Sequence, residues 1–232
     1  ARKNAALALG SLDDRRAVPP LVAHLTDESP RVREQSAWAL GALGASDATG
    51  PLAAALEDQD AGVREQAAWA LGAIGSHEAT EALGKALGDP EAAVREQAAW
   101  ALGAIEAEGA IDPLARALKD QSPDVREQAA WALGAIGGDA ATEPLSAALG
   151  DESAGVREQA AWALGAIGDR RGVDALFGAL KDESSDVREQ AAWALGAIGD
   201  SRAVSALSLA LKDEDSDVRE QVAWALGVLA RE

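Results

Sequence analysis

The chain has 232 residues, with Lys+Arg 21 against Asp+Glu 39 for a net charge of −18, seven Trp, one Phe, two His, and no Tyr, Cys or Met. The missing Cys excludes a disulfide framework, thiol catalysis and a Cys-based zinc site, and two unrelated His leave little for a His-based metal centre or triad, so no metal and no cofactor are expected. The acidic balance argues against a nucleic-acid binder, no apolar run approaches the ~18 residues of a membrane span, and no signal peptide is visible where Ala1–Leu12 runs straight into Asp13 and Asp14.

A period of 31 residues organises the chain. It opens on a degenerate half-copy, Ala1-Arg2-Lys3-Asn4-Ala5-Ala6-Leu7-Ala8-Leu9-Gly10, read as one lone helix within residues 1–13. Seven full repeats follow, at 14–44, 45–75, 76–106, 107–137, 138–168, 169–199 and 200–232. The first half of each keeps two Leu four residues apart, from Leu21 and Leu25 to Leu207 and Leu211. A β-branched residue stands three before the first Leu: Val18, Thr49, Thr80, Ile111, Thr142, Val173 or Val204. That one-sided stripe predicts a helix, and Pro20, Pro51, Pro113 and Pro144 fall in its first turn, where a missing N–H costs little. A turn comes next, as in Asp27-Glu28-Ser29-Pro30 and Asp120-Gln121-Ser122-Pro123, where Ser suits the N-cap and Pro the first helical position.

The second half, V-R-E-Q-[AS]-A-W-A-L-G-A-[IL], starts at Val32, Val63, Val94, Val125, Val156 and Val187; a copy from Val218 carries Val222 and Val228 instead. Val63, Ala67, Ala70, Leu71 and Ile74 lie on one side of a helix, and Gly44, Gly75, Gly137, Gly168 and Gly199 supply a stop. Glu106 stands where that Gly is expected, so the turn there is expected to be reshaped; Asp13 and Ala230 replace it at the two ends. No segment alternates with period 2, so no strand is expected. One pair of helices cannot bury its own stripe, but stacked pairs can. The reading is an all-α solenoid of about 15 helices in a single array over 1–232.

The A-V-x-x-L-x-x-A-L-x-D stretch (Ala203-Val204 to Asp213) and the V-R-x-x-A-A-x-A-L-G-x-I-G-D stretch (Val187-Arg188 to Asp200) resemble HEAT-like repeats of the short phycobilisome-lyase type. They are also similar to the engineered alphaRep arrays. The resemblance covers the whole chain. It implies a right-handed solenoid whose second helices line a concave face, used mostly as a protein-binding scaffold and in a minority of members for bilin attachment. It also implies a polar ladder between repeats, built from a turn Asp and an Arg six residues later. The pairs are Asp27/Arg33, Asp58/Arg64, Asp89/Arg95, Asp120/Arg126, Asp151/Arg157, Asp182/Arg188 and Asp213/Arg219.

Trp38 projects from the second helix opposite the core positions Val32, Ser36, Ala39, Leu40 and Leu43. Trp38, Trp69, Trp100, Trp131, Trp162, Trp193 and Trp224 would then form one row, with Glu34, Glu65, Glu96, Glu127, Glu158, Glu189 and Glu220 beside it. Helices packed ~8–10 Å apart make the row roughly 50–60 Å long. Fully exposed, it would carry on the order of 1,000–1,700 Å² of aromatic surface, against the ~300–600 Å² a soluble monomer tolerates in one patch. Three coverings compete. Each indole could lie on Gly41, Ala42 or their equivalents in the next repeat. A partner could fill the row, and Trp beside Glu suits a cationic protein or peptide. Copies of the chain could associate through it.

The outer sides of the first helices vary freely (Pro19, Gly50, Glu81, Asp112, Glu143, Asp174, Ser205) and read as solvated. His24 and His77 read as an edge and a turn residue. The start lacks Met and the last helix carries Val222, Val228 and Leu229, which suggests a piece of a longer array or end-to-end stacking. The leading reading is a non-enzymatic scaffold binding protein or peptide through the Trp/Glu face. Its rival, motivated by near-identical second helices and no Met, is an engineered or consensus-like array with no evolved ligand. A bilin-lyase-like role ranks last. Lack of Cys does not fix the compartment, and a cytoplasmic one is favoured.

Overall fold

The structure, a computed structural model, describes residues 15–231. The expected lone helix at 1–13 lies outside them. Fourteen α-helices and no strand occur among the described residues. The first helices are α1 (Val18–His24), α3 (Thr49–Ala55), α5 (Thr80–Ala86), α7 (Ile111–Ala117), α9 (Thr142–Ala148), α11 (Val173–Ala179) and α13 (Ala203–Ala210). The second helices are α2 (Pro30–Ala42), α4 (Ala61–Ile74), α6 (Ala92–Ala104), α8 (Pro123–Ile136), α10 (Ala154–Ile167), α12 (Ser185–Ile198) and α14 (Ser216–Leu229). The chain forms two compact units, Ala1–Leu114 and Ala115–Glu232, each a segment of α-solenoid.

Within each unit the long second helices pack chiefly on one another, while the short first helices touch their own partners and barely meet across repeats. Composition explains this. Five of the second helices, α4, α6, α8, α10 and α12, bury Ala at three positions (Ala67, Ala68 and Ala70 in α4) together with a Leu and a Gly, and α2 buries Ser36 in place of one Ala, so their backbones approach closely. The first helices contribute single fully buried Leu residues, among them Leu21, Leu52, Leu83, Leu145 and Leu176.

Most first helices are entered through a one-turn 3-10 segment, such as Ser46–Ala48 or Asp139–Ala141, that the periodicity does not reveal. Ser29 and Ser122 do occupy the N-cap with Pro beside them, but neither side chain caps the helix. The turn Asp instead shapes the approach to the helix: Asp27 Oδ1 accepts the Ser29 N–H at 2.9 Å and Asp120 Oδ1 the Ser122 N–H at 2.8 Å.

The turn at Glu106 is not reshaped. Glu106 adopts φ 48 itself, as Gly44 does at φ 57. Glu106 N–H donates to the Gly103 carbonyl at 3.0 Å and Ala107 N–H to the Leu102 carbonyl at 3.1 Å, the same bonds that Gly44 and Ala45 make at the end of α2. Between the buried Ile105 and Ala107, a side-chain-bearing residue stands where Gly is easier. The departure falls instead at Gly137-Gly138, where both residues have positive φ and the extended ψ −166 of Gly137 opens the turn.

Candidate functional site

The ladder Arg residues run between neighbouring repeats, and their geometry corrects the expected pairing of a turn Asp with the Arg six residues later. Arg33 Nη1 donates to the backbone carbonyl of Asp27 at 2.9 Å. Its Nε and Nη2 donate to both carboxylate oxygens of Asp58, in the next repeat, at 2.7 Å each. Arg64 holds Asp89 in the same way (2.6 and 2.8 Å), and in the second unit Arg126 holds Asp151, Arg157 holds Asp182 and Arg188 holds Asp213. Arg95 shows the correction directly. Its Nη1 donates to the backbone carbonyls of Asp89 at 2.8 Å and Pro90 at 3.0 Å, while the Asp89 carboxylate is gripped by Arg64. The expected Asp89/Arg95 pair is thus a bond to the turn backbone, and Arg95 reaches the carboxylate only as a nearby charge that helps to lower it. The reason is reach: an Arg in the first turn of a second helix lies over the carbonyls that enter that turn, and its own turn Asp points towards the preceding repeat.

Each carboxylate also accepts the N–H two residues on, as Asp58 does from Asp60. One Asp therefore shapes its own turn and receives the preceding repeat's guanidinium. These pairs are well removed from solvent; Arg157 and Asp182 side chains are 8% and 11% exposed. Burial pulls the Asp58 and Asp182 carboxyls up, but the Arg bonds and the backbone N–H outweigh it and hold both below the ordinary carboxylate range. For Asp213 the Arg188 bond is the largest influence, in the same direction. Asp169 goes further in the first-helix layer of the second unit. Arg171, the Arg171 N–H and the Thr142 hydroxyl together bring it down to about 2. The Thr142 hydroxyl donates to Asp169 Oδ2 at 2.7 Å, a second link between adjacent repeats. Arg219, in the last helix pair, puts Nη1 on the carbonyls of Asp213, Glu214 and Asp215.

The indoles are half-buried at Trp38, Trp69, Trp100, Trp131, Trp162 and Trp193, whereas Trp224 is 45% exposed. Trp69, Trp100, Trp162, Trp193 and Trp224 each seat on the Gly of the preceding repeat rather than the next one. A Cβ built on Gly41 would fall 2.8 Å from Trp69 Cζ3 and 2.7 Å from Ala70 Cα. Gly72 meets Trp100 likewise, and in the second unit Gly134, Gly165 and Gly196 meet Trp162, Trp193 and Trp224. Real Cβ atoms do not approach so closely, so Gly41, Gly72, Gly134, Gly165 and Gly196, each in the middle of its second helix, are the floor on which an indole rests. Gly costs a helix interior ~1 kcal/mol relative to Ala. Its recurrence inside seven otherwise strong helices was the available sequence signal for this contact.

Glu34, Glu65, Glu96, Glu127, Glu158 and Glu189 are half-buried one helical turn before their Trp, and Glu220 is exposed. Burial pushes the Glu158 carboxyl above its ordinary value, and Asp186, Glu127 and Glu189 add to the effect. Glu189 is raised by burial, then by Asp217, Asp186, Asp215 and Glu220. The second unit thus carries a ridge of aromatic edges flanked by carboxylates that repel one another. On the first-helix side Pro19, Gly50, Glu81, Asp112, Glu143, Asp174 and Ser205 are all exposed. His24 bonds the Pro20 carbonyl through Nδ1 at 2.7 Å. No metal-holding cluster and no helix long and apolar enough to cross a membrane occurs among the described residues.

A family model described as HEAT repeats matches residues 1–56, 44–91, 80–156 and 142–227. No curated protein matches the sequence. Among solved structures, the Escherichia coli protein YibA is similar at 25% identity and TM-score 0.74, over 98% of this chain and 86% of that one. The CpcE–CpcF complex of phycocyanin lyase from Nostoc sp. PCC7120 is similar at 26% identity and TM-score 0.61, over 91% and 94%. An engineered protein is similar at 25% identity and TM-score 0.67, over 99% of this chain and 73% of that one.

Proposed function

We propose that this chain, which belongs to the HEAT-repeat family, is a non-enzymatic scaffold that binds a cationic protein or peptide segment along its second helices. The observation that carries the reading is the ridge of the second unit. There half-buried indoles alternate with Glu carboxyls, and Glu158 and Glu189 are raised by burial and by neighbouring acids. A Lys/Arg-rich segment laid along it relieves that repulsion and offers cations to the indole edges, an attraction of about 0.5–2 kcal/mol per contact. Because the indoles already rest on Gly, they present rims rather than open faces. The reading is therefore of a shallow, charge-led contact with modest affinity and strong salt dependence.

The test is titration of the chain with an Arg-rich peptide and a charge-matched acidic control, read by Trp emission. Binding by the Arg-rich peptide alone, weakening as salt rises, is the expected result. Equal binding of both peptides, or none across a broad cationic set, overturns it.

A second reading has its own support. Near-identity of the second helices and the similarity to an engineered protein favour a consensus-like array with no evolved ligand. That reading expects the same stability and no selective peptide response. The likeness to the phycocyanin lyase complex supports the fold and adds no argument for bilin chemistry here.

A further inference from the structure

We propose that the outer groove between α11 and α13 binds an extended acidic segment of a partner protein, taking an apolar side chain against Phe177 and Leu209 and carboxylates on Lys181 and Lys212. The groove has a volume of 380 Å³ and lies in the layer that the repeat leaves free to vary. Phe177, the only Phe of the chain, is half-buried in it. Leu209, at 73%, is the most exposed large apolar side chain among the described residues. Its place on the helix makes it so. The counterparts Lys85, Arg116, Ala147 and Gly178 are exposed as well, each with a further repeat following it. A Leu at this outward position therefore sets apolar surface in water.

Charge separates this groove from others in the same layer. Between α3 and α5 the lining acids are Glu57, Glu78, Glu81 and Asp89, and the one Lys, Lys85, is paired with Glu81 at 2.8 Å. Between α7 and α9, Arg116 and Lys119 are set against Glu143 and Asp151. Between α11 and α13 the lining cations, Lys181 and Lys212, are exposed and make no ion pair among the described residues. The one lining acid, Asp213, has both oxygens on Arg188 at 2.8 and 2.9 Å. Two free cations beside an apolar groove, in a chain of net charge −18, are complementary to an acidic segment with an apolar anchor. Spacing narrows the choice. Lys181 and Lys212 each stand two residues beyond their helix, one period apart, and helices packed side by side put such residues about 10 Å from one another. A polyproline-II segment turns once in three residues and rises ~3.1 Å per residue, so acids at i and i+3 lie ~9 Å apart on one side, with the side chain between them turned away towards the groove. A hydrocarbon tail would need fuller enclosure than a shallow groove gives.

Titration of the full chain into labelled peptides, read by their anisotropy, tests this. The peptides carry Asp and Glu three residues apart with Phe-Pro, Leu-Pro or Ser-Pro between them. The Phe and Leu peptides should bind saturably, and the Ser peptide at least about tenfold more weakly. Because Leu209 is 73% exposed, Leu209→Glu should keep helicity and melting while weakening the Phe peptide by at least about tenfold. The double variant Lys181→Glu, Lys212→Glu should lose the acidic peptides and gain the peptide with Lys in place of both acids. The groove holds no Trp, so this binding is read apart from the Trp emission that reports a cationic segment on the second helices, and either site can fail alone. No saturable binding by the Phe or Leu peptide overturns the proposal. So does Leu209→Glu binding as tightly as the wild type, or a Ser peptide as tight as the Phe peptide. Dodecanoate binding in place of the peptides, lost in the same variants, would assign the groove to a fatty acid and overturn it too.

Discussion

The second helices and the first helices are built from the same repeat, yet they are held by different physics. Second helices meet through Gly, Ala and Trp at van der Waals contact and are tied by buried, bidentate Arg–Asp pairs. First helices mostly start from one-turn segments, leave shallow grooves between them, such as the 380 Å³ groove lined by Phe177, Leu180, Lys181 and Leu209, and are joined by fewer links. The lesson is that a solenoid can keep a stiff seam and a permissive outer layer in one sequence. Stability lies where small residues recur, and variation is tolerated where they do not.

The largest effect on this contrast should come from the ladder. Arg157→Ala removes both bonds to Asp182 and leaves a poorly solvated carboxylate, so about 3–5 kcal/mol of unfolding free energy should be lost in chemical denaturation. The pH dependence carries a definite sign. The Asp182 carboxyl is lowered in the folded state, so the pair stabilises above the ordinary Asp value and is lost as pH falls through and below it. The acid limb of the wild-type stability curve should therefore flatten in the variant. Glu158 and Glu189, raised in the folded state, work in the opposite sense and cost stability once ionised.

Next in size, Trp162→Ala should cost about 2–4 kcal/mol, and Trp224→Ala, with 45% of its residue exposed, clearly less. Parallel thermal melts of the two variants decide it, and equal losses would mean that the extra burial of Trp162 over Trp224, both of which rest on a Gly, contributes nothing.

A Gly-to-Ala pair sharpens the comparison further, because the two layers should answer with opposite signs. Gly165→Ala puts a methyl 2.6 Å from Trp193 Cζ3 and 2.7 Å from Ala194 Cα, and should destabilise by about 1–3 kcal/mol despite its better helix propensity. Gly178→Ala, in a first helix where the methyl meets nothing within 4 Å, should stabilise by about 0.5–1 kcal/mol. The smallest effect belongs to the exposed Lys85–Glu81 pair on α5. Lys85→Ala should leave the melting temperature nearly unchanged.

Much of this was legible in the sequence because a repeat reports the same local choices many times. The Leu spacing of the first helices and the Val–Ala–Leu stripe of the second carry their own period, so helix type and pairing follow from neighbours in the chain. What depended on the next repeat did not. A helical wheel drawn on one copy shows Trp38 facing away from the core, but not that an indole from the following repeat settles on Gly41. The turn Asp and the Arg six residues later look like partners, yet Arg33 reaches only the carbonyl of its own turn Asp and spends its fork on a carboxylate 25 residues on. Glu106 shows the converse: local chemistry disfavours its left-handed backbone, yet it adopts it, an exposed residue between the buried Ile105 and Ala107.

The double duty of the turn Asp makes the length of this molecule quantised. Each bidentate guanidinium counts 25 residues to its acceptor, and the same carboxylate fixes the turn that aims the next guanidinium. Losing a single residue from a turn detunes both bonds at once, while removing or inserting a whole 31-residue period leaves each surviving bond with a partner of the same kind. A gene encoding such a chain can therefore lengthen or shorten by recombination between its own copies without passing through a broken intermediate.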